Sequence, residues 1–262
     1  MAGLPERLTR AAATSLLAGA LGGAALLAGE MLAAKARRYA KPTMGLALRT
    51  SMGPATAPPL RLVLLGDSAA VGVGVESLSD TVGGQLARLV ADGTPETGRR
   101  HVLLSSVGVA GSRSSDLATQ VARALLGSRP DVAVVLIGSY DATSGRAPEE
   151  AAGHLGQAVR RLRAAGVQVV VGTCPDLGAL RSMAPPLRQI AGALGRRLAK
   201  AQAKAVTEAG GVVVDLGAET GAVFRADAGT LCYDGFHPSA DGYRVWAHAL
   251  YPAVARAAMT GV

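Results

Sequence analysis

The stretch LVLLGDSAAVGVGV, Leu62 to Val75, decides how this chain folds. Its apolar run, Leu62 to Leu65, stops at Gly66-Asp67-Ser68 and gives way to small residues spaced by glycine. Such a run with a glycine break reads as a buried strand that ends in a tight turn. The strand therefore delivers Ser68 to an open turn and exposes its hydroxyl. Working outward, apolar runs recur at Leu60 to Leu65, His101 to Val107, Asp131 to Ile137, Val167 to Thr173 and Gly211 to Leu216. Helix-length amphipathic segments separate them at Thr81 to Ala91, Ser115 to Leu126, Pro148 to Ala165 and Pro185 to Ala209. Tyr243, Trp246, Leu250 and Val254 mark the buried stripe of a closing helix. Strands alternating with helices predict an α/β fold, a three-layer αβα sandwich over a five-stranded parallel sheet with right-handed crossovers.

A second stretch, YDGFHPSADGY at Tyr233 to Tyr243, complements the first. Asp234 precedes His237 by three residues, Pro238 keeps the chain extended, and Ser239 stands where it caps the next helix. One loop thus offers a base and the carboxylate that orients it. A turn serine with a histidine and an aspartate is the equipment of nucleophilic acyl transfer. Either stretch alone is compatible with an ordinary turn.

Together, in this order and with the αβ repeat between them, Gly66-Asp67-Ser68 and Asp234-x-x-His237-Pro238 resemble the SGNH (GDSL-type) hydrolase family. The resemblance implies a flavodoxin-like sheet of order 2-1-3-4-5, with the site outside the carboxyl ends of its first and third strands. It also implies the catalytic set Ser68, Asp234 and His237, and three donors to an oxyanion. The first donor is the Ser68 amide. The second is a glycine amide in SSVGVAGSRSSDL, residues 105–117, where Gly111 has the family's spacing and Gly108 is the alternative. The third is the side chain of an asparagine in a Gly-x-Asn-Asp block. In VVLIGSYDAT, residues 134–143, Gly138 and Asp141 fit that block but Tyr140 stands where asparagine is expected. Asp67, Gly138 and Asp141 are assigned supporting roles. The segment VVVGTCPDLGAL, residues 169–180, resembles a loop of an actinobacterial subgroup and is expected either to shape the acyl pocket or simply to end a strand.

The chain has 262 residues, 49% of them hydrophobic, 18% charged and only 3% aromatic, which suits one packed domain plus an appendage. The net charge of +8 suggests nucleic acid, but half of it lies in residues 1–41 and the rest is mixed with acidic residues, without an aromatic-interleaved basic stripe. No nucleic-acid partner is expected. Cys174 and Cys232 lack metal-ligand spacing, so no metal site is expected. Two free thiols, or one disulfide between them in an oxidising compartment, fit equally.

Ala11 to Gly29 carries no charge over 19 residues and is flanked by Arg7 and Arg10 before it and Lys35, Arg37, Arg38 and Lys41 after it. That length is about a membrane span. Residues 1–41 are therefore read as an uncleaved membrane anchor or signal-like helix, residues 42–59 as a proline-rich linker, and residues 60–262 as the hydrolase domain. The heavier basic flank favours a cytoplasmic catalytic domain, with export as the alternative. The expected function is a serine esterase that forms an acyl-enzyme at Ser68 from a small-molecule ester or thioester, without a cofactor. An acyltransferase of the same fold and a binding module attenuated by Tyr140 are the alternatives.

Overall fold

The computed structural model describes residues 22–32 and 48–260. Its centre is a sheet of strands β1 (Arg49–Met52), β2 (Pro59–Gly66), β3 (His101–Ser106), β4 (Val132–Leu136), β5 (Gln168–Gly172) and β6 (Val212–Val214), in the order β1-β3-β2-β4-β5-β6. Strands β2 to β6 run parallel, and β1 alone pairs antiparallel. Counted from β2, the parallel strands have the order 2-1-3-4-5 that the family resemblance implies. Around them pack α1 (Val82–Asp92), α2 (Leu117–Leu125), α3 (Pro148–Ala164), α4 (Leu187–Glu208), α5 (Leu216–Ala226) and α6 (Ala240–Thr260).

The unbroken apolar runs have a direct cause: each central strand is covered on both faces. Leu62 and Leu64 of β2 join one core with Val82 and Leu86 of α1 and Tyr243 and Leu250 of α6. The alternate residues Val63 and Leu65 join the opposite core with Val121 of α2 and Leu155 of α3. Truncating any of these leucines to alanine opens a cavity in a close-packed layer, at a cost of about 2–5 kcal/mol.

Two sequence expectations change. The stretch 42–59 is not all linker, because Arg49–Met52 forms an edge strand in register with Met52 opposite Val102. An edge strand with one exposed face has no need of the apolar run by which buried strands are recognised. Second, Gly211 to Leu216 is not one strand: β6 is only Val212–Val214, and Leu216 opens α5. The Asp215 carboxylate accepts a hydrogen bond from the Ala218 amide at 3.0 Å and caps that helix. Of the two readings left open for the cysteines, the free thiols are the one observed: Cys174 and Cys232 do not pair.

The proposed anchor, residues 11–29, lies outside the described residues except for 22–29, which belong to a helical stretch at 22–32. Glu30 of that stretch accepts a hydrogen bond from the Leu187 amide, at the first turn of α4. Among the described residues no helix is long and apolar enough to cross a membrane.

Candidate active site

The turn after β2 is built around one glycine. Gly66 has φ +132°, and a Cβ there would lie 1.8 Å from the Leu136 carbonyl oxygen, so no other residue fits between β2 and β4. Asp67 donates its amide to that carbonyl at 3.0 Å, and its own carboxylate accepts from the Ala69 amide at 3.2 Å. This caps a short 3-10 turn, Ser68–Val71, in which Ser68 is the first residue. A first helical residue has no partner for its N–H within the helix, so the Ser68 amide remains available. The turn is held in place from two sides: Ser106 Oγ donates to the Ala70 carbonyl at 2.8 Å, and the buried Tyr243 hydroxyl donates to the Val73 carbonyl at 2.7 Å.

Burial raises the Asp67 carboxyl from 3.8 to about 7, and the charge of Asp141 adds to the rise. Hydrogen bonds from the Ala69 and Gly138 amides and the proximity of His237 oppose it. The unfolded chain ionises this group above about 3.8, whereas the folded chain keeps the proton to about 7. The contribution of Asp67 to stability is therefore fullest at acid pH and falls as pH rises towards 7. Asp67→Asn keeps the acceptor oxygen and removes the buried charge. Its thermal midpoint is expected to rise relative to the parent, more at pH 8 than at pH 5; an equal change at both pH values would contradict the burial argument.

The loop that carries Asp234 and His237 is equally constrained. The Asp234 carboxylate is buried; its Oδ2 accepts from His237 Nδ1 at 2.5 Å and its Oδ1 from the Phe236 and His237 amides at 2.8 and 2.9 Å. The Cys232 thiol adds a fourth donor to the carboxylate, on Oδ1 at 3.0 Å. Burial disfavours the charged carboxylate, but the bonds from His237, Cys232 and the two amides outweigh it and hold the group well below its usual range. Asp234 is accordingly an anion, with its charge aimed at Nδ1. Phe236 packs edge-on against the imidazole with centroids 4.9 Å apart. Ser239 caps α6 as expected, its Oγ accepting from the Gly242 amide at 3.3 Å.

Ser68 and His237 line one cleft of about 660 Å³, its open mouth included. No hydrogen bond links Ser68 Oγ to His237 among the described residues; such contacts commonly tighten only when substrate is bound. Away from Ser68 the cleft is walled by apolar side chains, including Leu177, Leu180, Leu216, Phe224 and Trp246.

The loop after β3 carries Gly111 at the third position of a turn closed by the Ser112 amide on the Val109 carbonyl at 3.1 Å. Its φ of +81° suits glycine at that position, and its own N–H makes no hydrogen bond among the described residues. Gly108, the alternative, has no positive φ; its amide donates to Ser106 Oγ at 3.2 Å and is engaged. Asp141 ties this loop to the short helix Ser139–Ala142, accepting from the Ser114 amide at 3.0 Å and from its hydroxyl at 2.7 Å. Gly138 enters that helix with φ +139°, where a Cβ would press on Gln202 and Cys174. Tyr140 is half-buried, its ring 6.3 Å from that of Phe236. Burial, then the charges of Asp67 and Asp234, push its hydroxyl above the ordinary tyrosine value, so it stays protonated.

Residues 64–245 match the GDSL-like Lipase/Acylhydrolase family. The chain belongs to that family. Among curated proteins it is similar to the GDSL-like esterase Rv1075c of Mycobacterium tuberculosis (strain ATCC 25618 / H37Rv), 41% identical over 197 residues that make up 74% of this chain. The alignment spans 62% of that relative's length. Solved structures share the fold: a lipolytic G-D-S-L family protein from Veillonella parvula DSM 2008 has TM-score 0.59 at 16% identity, covering 75% of this chain and 99% of that one. A lipase/acylhydrolase from Enterococcus faecalis has TM-score 0.56 at 21% identity, covering 75% and 96%. At these identities the likeness is one of fold.

In this GDSL-like chain the segment 169–180, expected either to shape a pocket or to end a strand, lines the cleft through Thr173, Pro175, Leu177 and Leu180 among others; sequence reading missed the rest of the wall and the supports behind the turns. That missed part of the wall comes from α5, whose Leu216, Thr220 and Phe224 share one face at helical spacing behind the Asp215 cap. That pattern was readable in principle, but Gly217 and Gly221 obscure it. The supports include two buried glutamines. Gln202 accepts from the Cys174 amide at 2.7 Å and donates to the Ile137 carbonyl at 2.9 Å, and Gln120 sits beneath Gly66. No group of three or more His, Cys, Asp or Glu side chains suited to a metal occurs among the described residues.

Proposed function

We propose that this protein is an esterase that forms an acyl-enzyme at Ser68 and releases it by hydrolysis. The observation that carries the reading is the short Asp234–His237 bond at 2.5 Å, in a loop whose histidine faces the same cleft as Ser68. With Nδ1–H held by an anionic Asp234, the other ring nitrogen, Nε2, carries the lone pair. It takes the Ser68 Oγ proton as the oxygen adds to the ester carbonyl, and later returns that proton to the departing alcohol or thiol. The amides of Ser68 and Gly111 receive the developing oxyanion, and the acyl group lies against Leu177, Phe224 and Trp246. Water then repeats the sequence and frees the acid. No step calls on a cofactor.

The 41% identical mycobacterial esterase supports both the activity and the actinobacterial affinity of the chain. The second reading, acyl transfer to a hydroxyl or amine, is favoured by Tyr140, a protonated phenol standing where the family resemblance places an asparagine. A fluorophosphonate probe tests the shared core of both readings. Stoichiometric labelling at Ser68, lost in Ser68→Ala, is the expected result. A folded protein that does not label would instead favour a binding module without an activated serine. Acyl transfer is then separated from hydrolysis by the yield of transferred product when a nucleophilic alcohol or amine is added to an ester assay.

A further inference from the structure

We propose that Gln120 is a positioning residue that sets the spacing between the two backbone oxyanion donors, the amides of Ser68 and Gly111. The inference rests on the nucleophile assignment of Ser68 and adds a residue to it. Gln120 lies on α2, 2% exposed, outside every motif that marks the site. Its side-chain oxygen accepts from the Gly66 amide at 2.7 Å, and its nitrogen donates to the Gly66 carbonyl at 2.9 Å. One planar amide therefore grips both peptide groups of the residue two positions before Ser68, which fixes the plane from which Asp67 and Ser68 continue.

The same nitrogen donates its second hydrogen to Ser112 Oγ at 3.1 Å. Ser112 directly follows Gly111, and on the other side of Gly111 the Val109 amide also binds the Gly66 carbonyl at 3.1 Å. The Gly111 turn is thus pinned on both flanks to the residue that launches the nucleophile, and one of the two pins is Gln120. At the end of a parallel strand the ladder stops and backbone groups lose their partners; a buried glutamine, with one acceptor and two donors in a rigid plane, replaces them. Leucine or methionine would fill the same volume without fixing either segment. An oxyanion hole works because its donors need no reorganisation as charge develops, so a support of this kind acts on the transition state more than on substrate binding.

The test uses the full chain with Gln120→Met, Ser112→Ala and the double variant, each assayed for kcat, KM, the rate of fluorophosphonate labelling and inhibition by a boronic acid that mimics the tetrahedral adduct. Gln120→Met is expected to lower kcat and labelling by about 10²-fold with KM within about twofold, the scale set by misplacing a reacting group by an ångström or losing one donor. Boronate inhibition should weaken in parallel. Ser112→Ala removes only the bond to the Gly111 loop and is expected to lose about 3- to 10-fold, with a double variant no worse than Gln120→Met alone, since both act through one contact. A lowered thermal midpoint with unchanged kcat, or losses that multiply, would overturn the proposal. If Gln120→Met does not fold, Ser112→Ala decides: unchanged kcat and boronate inhibition overturn it. A wild-type chain that fails to label at Ser68 would remove the nucleophile assignment and this inference with it.

Discussion

His237→Ala is expected to reduce kcat on a short acyl nitrophenyl ester by about 10⁶-fold, and Asp234→Asn by about 10⁴-fold, each with KM little changed. The two numbers differ for a structural reason. Removing His237 leaves Ser68 with no proton acceptor, whereas Asp234→Asn leaves the imidazole in place but withdraws the anion that holds the proton on Nδ1. The asparagine would retain one oxygen for the Phe236 and His237 amides, now at 2.8 and 2.9 Å from Oδ1. The loop should therefore keep its shape, and the loss would report charge and tautomer, not collapse. Because the residues act as a unit, the double variant should cost little more than His237→Ala alone. Losses that multiply would mean that Asp234 and His237 act independently. Cys232 belongs to the same unit at lower stakes: Cys232→Val removes one of four donors to Asp234 and should cost a few-fold, while Cys232→Ser should be close to neutral.

That Ser68, Asp234 and His237 stand out in the sequence as candidates follows from how they are held. Ser68, Asp234 and His237 sit on tight turns whose geometry demands particular residues within a few positions, Gly66 before the serine and Gly235 between the acid and the base. Local demands leave local patterns, and so did the buried strands, whose two-sided covering yields unbroken apolar runs. What the sequence concealed acts over distance. Gln120 meets Gly66 across 54 positions, and Gln202 meets Ile137 across 65; in each case a polar residue on a helix face looks like solvent-facing surface until the strand end beneath it is known. The edge strand Arg49–Met52 was hidden because pairing on one side only leaves no apolar signature. Helix α5 was hidden because its glycines and Thr220 carry little helical propensity, and its stability comes from Phe224 against Trp246, centroids 5.7 Å apart, in the core. That pair lines the cleft together with residues from the segment 172–180, so its apolar wall was legible only in part.

Tyr140→Asn is expected to raise kcat for hydrolysis by about 10- to 10²-fold, approaching the 10² to 10³ that one oxyanion donor supplies elsewhere. On the proposed reading two other donors are available: the Ser68 amide starts its turn and the Gly111 amide is unengaged, while Asp141 binds the Gly111 loop to the helix that carries Tyr140. An asparagine in the first turn after Gly138 would place an amide N–H on a short, stiff stem. The tyrosine hydroxyl stands farther out, on a ring whose centroid is 6.3 Å from that of Phe236. The phenol nevertheless has the properties of a donor, since burial and the nearby Asp67 and Asp234 charges keep it protonated, and it makes no hydrogen bond within the described residues. Two chemistries diverge from this point. If the ring shields the acyl-enzyme from water so that an acceptor alcohol or amine competes, Tyr140→Asn should raise hydrolysis and lower the transferred fraction together. Tyr140→Phe keeps the shield and removes only the hydroxyl, so it should leave the ratio of transfer to hydrolysis unchanged. A Tyr140→Asn protein that folds with the parent's thermal midpoint yet loses activity on simple esters would reverse the assignment. The phenol itself would then be the third donor, and Tyr140→Phe should fall by the same factor.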